Sequence, residues 1–269
     1  MEQGLSIAFG SASDRGLRRE ENQDSFGKFP RDDASLQTPA GQLFVVADGM
    51  GGHAGGREAS HMAVRIIAET YFTDQDNDLA HRLQHALTVA NQRIYQASNT
   101  RFEFFGMGTT CTALALQGNT GCIAHVGDSR AYRINPHNIE QLTRDHSKVA
   151  EMQRLGMLTA EEARHHPEKS HLYRALGIYT ELEVDMIPDL QLVPGDHFLL
   201  CTDGLAKVAP GELQKIVLSH TPQRACEKLV ALANARGGED NTTVQVIRVL
   251  SANAARTGFF SRVLRKWRF

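Results

Sequence analysis

The chain lacks a long apolar run. Its longest stretch without Asp, Glu, Lys or Arg spans Phe104 to Gly127, and Gly, Thr, Gln and Asn interrupt it. That segment reads as two strands and a turn, not as a membrane span. Cysteine is scarce: Cys111, Cys122, Cys201 and Cys226 are widely spaced and form no C-x-x-C pair. Each lies in an apolar run, where a small buried thiol is the expectation. No basic N-terminal segment leads into an apolar core, so no signal peptide is expected and a cytoplasmic location is. Neither charge is in excess, with 29 Lys+Arg against 31 Asp+Glu and a net charge of −2. That balance excludes a chain held to nucleic acid by overall charge.

What is present is a folded composition. The 269 residues are 41% hydrophobic and 22% charged, enough for one large domain or two small ones. The near-neutral sum hides an asymmetry. The segment 251–269 holds five basic residues (Arg256, Arg262, Arg265, Lys266 and Arg268) and no acidic one, leaving 24 basic against 31 acidic residues, or −7, in 1–250. The only clear boundary falls near Ser251.

Leu43–Ala47 is a short apolar run, as expected of a buried strand. After a glycine-rich turn, Arg57–Phe72 and Leu79–Ser98 follow helical spacing. Thr110–Leu116 and Cys122–Val126 read as strands joined by a turn, and Ala131–Ile134 is expected to continue their sheet. Ser147–Arg164 reads as a polar helix broken at Gly156. Phe198–Cys201 is another buried strand. Glu212–Ser219 and Pro222–Ala235 are helical, and Thr242–Val249 is a closing strand. Strands and helices come in groups, and helix follows helix twice, so α+β fits better than doubly wound α/β.

The chemistry concentrates where aspartate meets glycine at the ends of strands. Asp48-Gly49 follows FVVA, Gly127-Asp128 follows CIAHV, Asp203-Gly204 follows FLLCT, and Asp240 lies in GGEDN just before TTVQVIRV. Asp-Gly is a common turn dipeptide, and any one of these is accounted for as a turn. Four, each abutting an apolar strand, point further. Carboxylates sharing a small volume repel and raise each other's pKa, and a divalent cation removes that conflict. Oxygen-only ligands favour a hard ion, Mg²⁺ or Mn²⁺. Arg19, in a dense polar segment, can grip a phosphate through two N–H groups or simply lie on the surface. His53 can act as a general acid or steer substrate. Asp24, Asn22 and Asn241 can hold water at a metal or cap turns.

A reading from another class competes. Gly49–Ala54 (GMGGHA) fits a dinucleotide-binding turn, and Glu69 lies 20 residues beyond Gly49. Against it, a second helix follows where a βαβ unit needs a strand, and Asp48 would repel a pyrophosphate.

Taken in order, the motifs resemble the metal-dependent protein phosphatases, the PPM or type 2C family, in its bacterial form. They are Ser13-Asp14-Arg15-Gly16 through Arg19-Glu-Glu-Asn-Gln-Asp24, FVVADGMGGHAGGREAS from Phe44, Gly108-Thr109-Thr110, HVGDSRAY from His125 and LTRDHS from Leu142. Arg174-Ala-Leu-Gly177, LCTDGL from Leu200 and GEDNTT from Gly238 complete the series. The resemblance covers about residues 6–250.

It implies an α+β, four-layer α-β-β-α sandwich of two antiparallel sheets flanked by helices. The catalytic domain would be 1–250, with a flap over about 145–177, and 251–269 would be a basic amphipathic tail. Asp48 would bridge two ions, Mn²⁺ or Mg²⁺, with the Gly49 carbonyl on one and Asp203 and Asp240 on the other. Asp128 would help bind a third. Arg19 would bind phosphate, and Asp24 would order water at the metals.

Two positions depart from the family pattern. Gln23 stands where eukaryotic members have an acidic residue, and Met50 stands where they place a histidine, so His53 is assigned to substrate handling. The implied activity is hydrolysis of phosphoserine and phosphothreonine in proteins by a metal-activated water, opposing a partner Ser/Thr kinase. A phosphatase of small phosphate esters would use the same centre. In the tail, helical spacing puts Phe260, Val263, Leu264 and Trp267 on one face, suited to an anionic membrane surface or a protein partner. A frayed or self-packed terminus accounts for it equally.

Overall fold

Eleven strands and six helices follow in chain order in this computed structural model, which describes residues 5–30, 40–51 and 55–252. They are β1 (Ser6–Asp14), β2 (Asp24–Phe29), β3 (Gln42–Met50), α1 (Gly55–Thr73), α2 (Leu79–Thr100), β4 (Gly108–Thr109), β5 (Cys111–Gln117), β6 (Thr120–Val126), β7 (Arg130–Ile134) and β8 (Ile139–Gln141). Then come α3 (Lys148–Arg154), α4 (Ala160–His165), β9 (Asp185–Gln191), β10 (His197–Cys201), α5 (Pro210–Ser219), α6 (Pro222–Ala235) and β11 (Thr242–Ser251). One sheet has the order β1-β11-β10-β7-β8. The other runs β2-β3-β5-β6-β9, with β4 beside β3.

The apolar runs are continuous because their strands are covered on both faces. In β3, Leu43, Val45 and Ala47 face α1 and α2, while Phe44 and Val46 face the other sheet. In β10, Leu199 and Cys201 face α5 and α6, while Phe198 and Leu200 join the layer between the sheets. This is the alternation of a pleated strand applied to two apolar environments. Phe44, Leu114, Leu116, Ile123 and Phe198 are fully buried in the inter-sheet layer. Each contributes about 1.5–3 kcal/mol by leaving water. The result is the expected α-β-β-α sandwich.

Capping chemistry sets several helix limits. Asp78 accepts from the Ala80 and His81 amides at the start of α2, and Thr159 and Glu162 form a capping box on α4. Proline opens α5 and α6 at their first turn. The segment read as one broken helix is two short ones. Ser147 caps α3, and Gly156, at φ +71°, turns the chain between them.

One expectation is corrected. Ala131–Ile134 does not continue the sheet of β5 and β6. The chain crosses at Gly127–Ser129, and β7 pairs with β10 in the other sheet. The dinucleotide reading of Gly49–Ala54 also loses its scaffold. Among the described residues β3 pairs antiparallel with each neighbour, so no βαβ unit surrounds that turn.

All the singled-out aspartates lie at one end of the sandwich. Asp24 opens β2 and stands opposite Asp48 in the register. Asp203 follows β10, Asp240 precedes β11, and Asp128 sits in the crossover between the sheets. Ser251 pairs with Ser6 at the opposite end of β11, and Ala252 packs against the inter-sheet layer. Residues 253–269, which hold the amphipathic pattern, lie outside the described residues.

Candidate active site

Two strand ends from one sheet meet two from the other, and hydrogen bonds stitch them together. The Thr202 hydroxyl donates to Asp24 Oδ2 at 2.8 Å and accepts from the Thr243 amide at 2.9 Å. This joins β2 to the ends of β10 and β11. Thr110 brackets Asp48: its amide donates to the Asp48 carbonyl (2.9 Å), and its hydroxyl oxygen accepts from the Asp48 amide (2.9 Å). The same hydroxyl bonds Ser129, next to Asp128, at 2.7 Å. Asn241 ties the loop 15–23 to the Asp240 turn. Its Oδ1 accepts from the Gln23 amide, and its Nδ2 donates to the Arg15 and Glu21 carbonyls.

Gly49 permits a close approach that another residue would block. A Cβ there would run into the Gly56 carbonyl oxygen at the start of α1, and into the Gln23 carbonyl oxygen at 2.6 Å. Strand β3 and the first turn of α1 thus pack backbone to backbone beside Asp48.

The electrostatics are unfavourable for a protein without ions. Burial pushes the Asp24 carboxyl up to about 7, and Asp203 and Asp240 add to the shift. Burial raises Asp48 well above the usual carboxylate range, helped by Asp24, Asp203, Asp128 and Asp240. Asp128 is raised for the same first reason, with Asp203 and Asp145 contributing. Asp203 rises to about 6 through burial and Asp240.

Little compensating positive charge is close. Arg19 Nη2 sits 2.6 Å from Asp240 Oδ2, a contact that holds its guanidinium more firmly protonated. Arg130 is committed to Asp145 through Nε at 2.9 Å and Nη2 at 2.6 Å. Asp24 Oδ1 and Asp203 Oδ1 are buried without a hydrogen-bond partner, which ordinarily costs about 1–3 kcal/mol each, and more if charged.

Unpaired oxygens and mutual repulsion are what a cation corrects, and the all-oxygen donor set suits Mg²⁺ or Mn²⁺. Among the described residues no three acidic, histidine or cysteine side chains are already drawn to ligating spacing. The carboxylates stand around a shared space, and Arg19 holds part of the positive charge. Of these carboxylates, Asp24 alone also lines a groove of about 1130 Å³ between β2 and α1.

The structure therefore brings Asp24, Asp48, Gly49, Asp128, Asp203, Asp240 and Arg19 to one end of the sandwich. His53 lies outside the described residues. Thr202, Thr243 and Ser129 take part in the hydrogen bonds around these aspartates but have no role assigned from the sequence. Each lies within a quoted motif, at most three residues from an aspartate.

A family model described as "Protein phosphatase 2C" matches residues 20–241. The chain is 38% identical over 244 residues to the serine/threonine phosphatase stp of Listeria monocytogenes, covering 87% of this chain and 93% of that protein. Its fold superposes on serine/threonine phosphatase Stp1 from Staphylococcus aureus with a TM-score of 0.83 at 30% identity, covering 93% of this chain and 98% of the other. It also matches the catalytic domain of PstP in complex with two manganese ions, with a TM-score of 0.80 at 32% identity, covering 92% and 100%.

Proposed function

The chain belongs to the protein phosphatase 2C family and is a metal-dependent protein serine/threonine phosphatase, and from that premise we propose which of its residues carry the reaction. Asp48, the Gly49 carbonyl, Asp203 and Asp240 hold two divalent ions, Mn²⁺ or Mg²⁺, and Asp128 contributes to a third. When bound, these ions supply Lewis acidity and a water nucleophile at neutral pH. The observation that carries this reading is the mutual elevation of Asp24, Asp48, Asp128 and Asp203, with buried oxygens left unpaired on Asp24 and Asp203.

The protein's own groups divide the remaining work. Arg19 is half-exposed at the rim. Once Asp240 is neutralised, its guanidinium is free to turn to the phosphoryl oxygens, where a charge-assisted pair stabilises developing negative charge. Asp24 is fixed by Thr202 through Oδ2 and keeps Oδ1 free as an acceptor that orients the attacking water. Thr110 and Ser129 keep Asp48 and Asp128 at a fixed separation. His53 is assigned to substrate handling. Attack by water on phosphorus needs no phosphoenzyme, so no thiol should matter, and every cysteine is buried with its thiol pushed up by burial.

The substrates are phosphoserine and phosphothreonine in proteins, and the enzyme opposes a cognate Ser/Thr kinase in the cytoplasm. The described residues include no helix long and apolar enough to cross a membrane. The tail 251–269 leaves from the end opposite the carboxylates and is assigned to an anionic membrane surface or a protein partner. Protein ending at Leu250 should lose binding to anionic vesicles, and unchanged binding rules out the membrane role.

The catalytic reading is tested with a phosphothreonine peptide. Chelator should abolish hydrolysis and Mn²⁺ should restore it, with turnover well above that on a sugar phosphate. Hydrolysis that survives chelation overturns the metal reading, and faster turnover of the sugar phosphate overturns the substrate class.

A further inference from the structure

Asp128 stands on a turn held by a side chain to which no role has yet been assigned, that of His146. Gly127, at φ +111°, has a backbone that glycine favours, and a Cβ there would press on Thr110 at 2.6 Å. His146 clamps this glycine from both sides. The His146 amide donates to the Gly127 carbonyl at 2.7 Å, and the Gly127 amide donates to His146 Nδ1 at 3.1 Å. An amide donating to Nδ1 requires a lone pair there, so the ring proton sits on Nε2. Nε2 faces Asp185 Oδ2 at 3.2 Å, and the ring is only 2% exposed.

The far side of the ring is equally fixed. Asp185 opens β9 and is held by Arg174 at 2.9 Å, which also reaches Glu183 at 2.6 Å. The ring packs between His125 and Tyr173, with centroids 4.9 and 5.6 Å away. His125 is itself pinned by Thr112 and by the Arg144 carbonyl. The Tyr173 amide donates to the His146 carbonyl at 3.0 Å, and Ser147 bridges to Leu172. His146 therefore joins the Asp128 turn, both roots of the segment 147–172 that carries α3 and α4, and the start of β9.

We propose that His146 is a positioning residue for the reaction: its Nδ1 lone pair fixes the Gly127–Asp128 turn and so places the Asp128 carboxylate. This rests on the reading of Asp128 as an ion ligand. Groups that orient a ligand from behind typically change metal affinity by about 10–100-fold when replaced. His146 reaches Asp128 through one peptide unit, so its effect falls on the ion that Asp128 serves and spares the ions at Asp48, Asp203 and Asp240.

The two ring nitrogens separate this role from general support. Asparagine places an acceptor near Nδ1 and loses the Nε2 donor; glutamine does the reverse. Full-length His146→Asn, His146→Gln, Asp128→Asn and the His146→Gln/Asp128→Asn double variant are titrated with Mn²⁺ by calorimetry, with kcat and KM measured on a phosphopeptide.

Asp128→Asn should abolish the weakest Mn²⁺ event. His146→Gln should weaken that event by about 10–100-fold and leave the tighter events unchanged. His146→Asn should stay near the native value, and the double variant should match Asp128→Asn alone. Equal losses in the Asn and Gln variants, or losses that add in the double variant, overturn the proposal. If Asp128→Asn leaves every Mn²⁺ event intact, the ligand reading of Asp128 fails instead. If His146→Gln does not fold, His146→Asn decides: a folded variant with a weak event near native upholds the role of Nδ1, and a folded variant lacking that event overturns it.

Discussion

Replacing Asp203 with asparagine should make the metal-free protein more stable while destroying its activity. In the folded chain the Asp203 carboxyl is pushed from its ordinary 3.8 to about 6 by burial and by Asp240. Its Oδ1 has no hydrogen-bond partner. Holding it ionised at pH 7.5 costs the fold about 1.4 kcal/mol per pH unit of displacement, hence about 2–3 kcal/mol. Asparagine keeps the volume, removes the charge that Asp203 presents to Asp48 and offers an N–H in its place.

At about 2–4 °C per kcal/mol for a chain of this size, the metal-free Tm should rise by roughly 5–10 °C. The sign can be checked against pH. Between about 4 and 6 the native state holds a proton on Asp203 that the unfolded chain has released, so native stability falls with rising pH relative to the variant. The gap in Tm should open across that window and level off above it. Calorimetry in chelator over pH 4–8 measures it, and phosphopeptide turnover in saturating Mn²⁺ should be near background. A variant less stable than the native protein at pH 7.5 without metal would refute the view that these carboxylates are held together against their own repulsion.

Arg19→Ala should raise KM for a phosphopeptide by roughly 10-fold or more, the value of a lost charged hydrogen bond, and should lower Mn²⁺ affinity by less; equal losses in both would contradict its role. Mn²⁺ should raise Tm more at pH 7.5 than at pH 5.5, because protons compete for Asp24, Asp48 and Asp203, which are raised by burial and by one another; an equal increment at both pH values would count against that competition. Thiol alkylation of the folded enzyme should leave turnover unchanged, since burial holds Cys122, Cys201 and Cys226 at about 12 and pushes Cys111 up as well; rapid inactivation would contradict it.

The strands most legible in the sequence are those buried on both faces. Leu43–Ala47 and Phe198–Cys201 are unbroken apolar runs because helices cover one side and the second sheet covers the other. Strands β1 (SIAFGSASD), β2 (DSFGKF) and β9 (DMIPDLQ) end the order of their sheets and mix polar with apolar residues, so no apolar run marks them. The sheet change at β7 is hidden because Gly127-Asp128-Ser129 reads like any turn. It is visible only through pairing to β10.

The aspartates at the ends of β3, β6, β10 and β11 were legible because each abuts such a run. Asp24 carried little signal of its own, since β2 did not announce itself: water at a metal and a turn cap fitted it equally, and the family motif chose between them. The supports were not legible. That Thr202 spans from β10 to Asp24, and that Thr110 links Asp48 to Ser129, depends on which strand ends the two sheets bring together. His146 is similar: its ring is committed at Nδ1 to Gly127 and faces Asp185 at Nε2, which are 19 and 39 positions away in the chain.

The placement of the ions is the centre of this account, and Mn²⁺ anomalous diffraction from crystals of the full chain measures it directly. Two peaks are predicted at the Asp24–Asp48 end of the sandwich, both beside Asp48, one also beside the Gly49 carbonyl and the other beside Asp203 and Asp240, with a third, weaker peak beside Asp128. Mn²⁺ bound elsewhere on the protein, with no peak among these carboxylates, would contradict it.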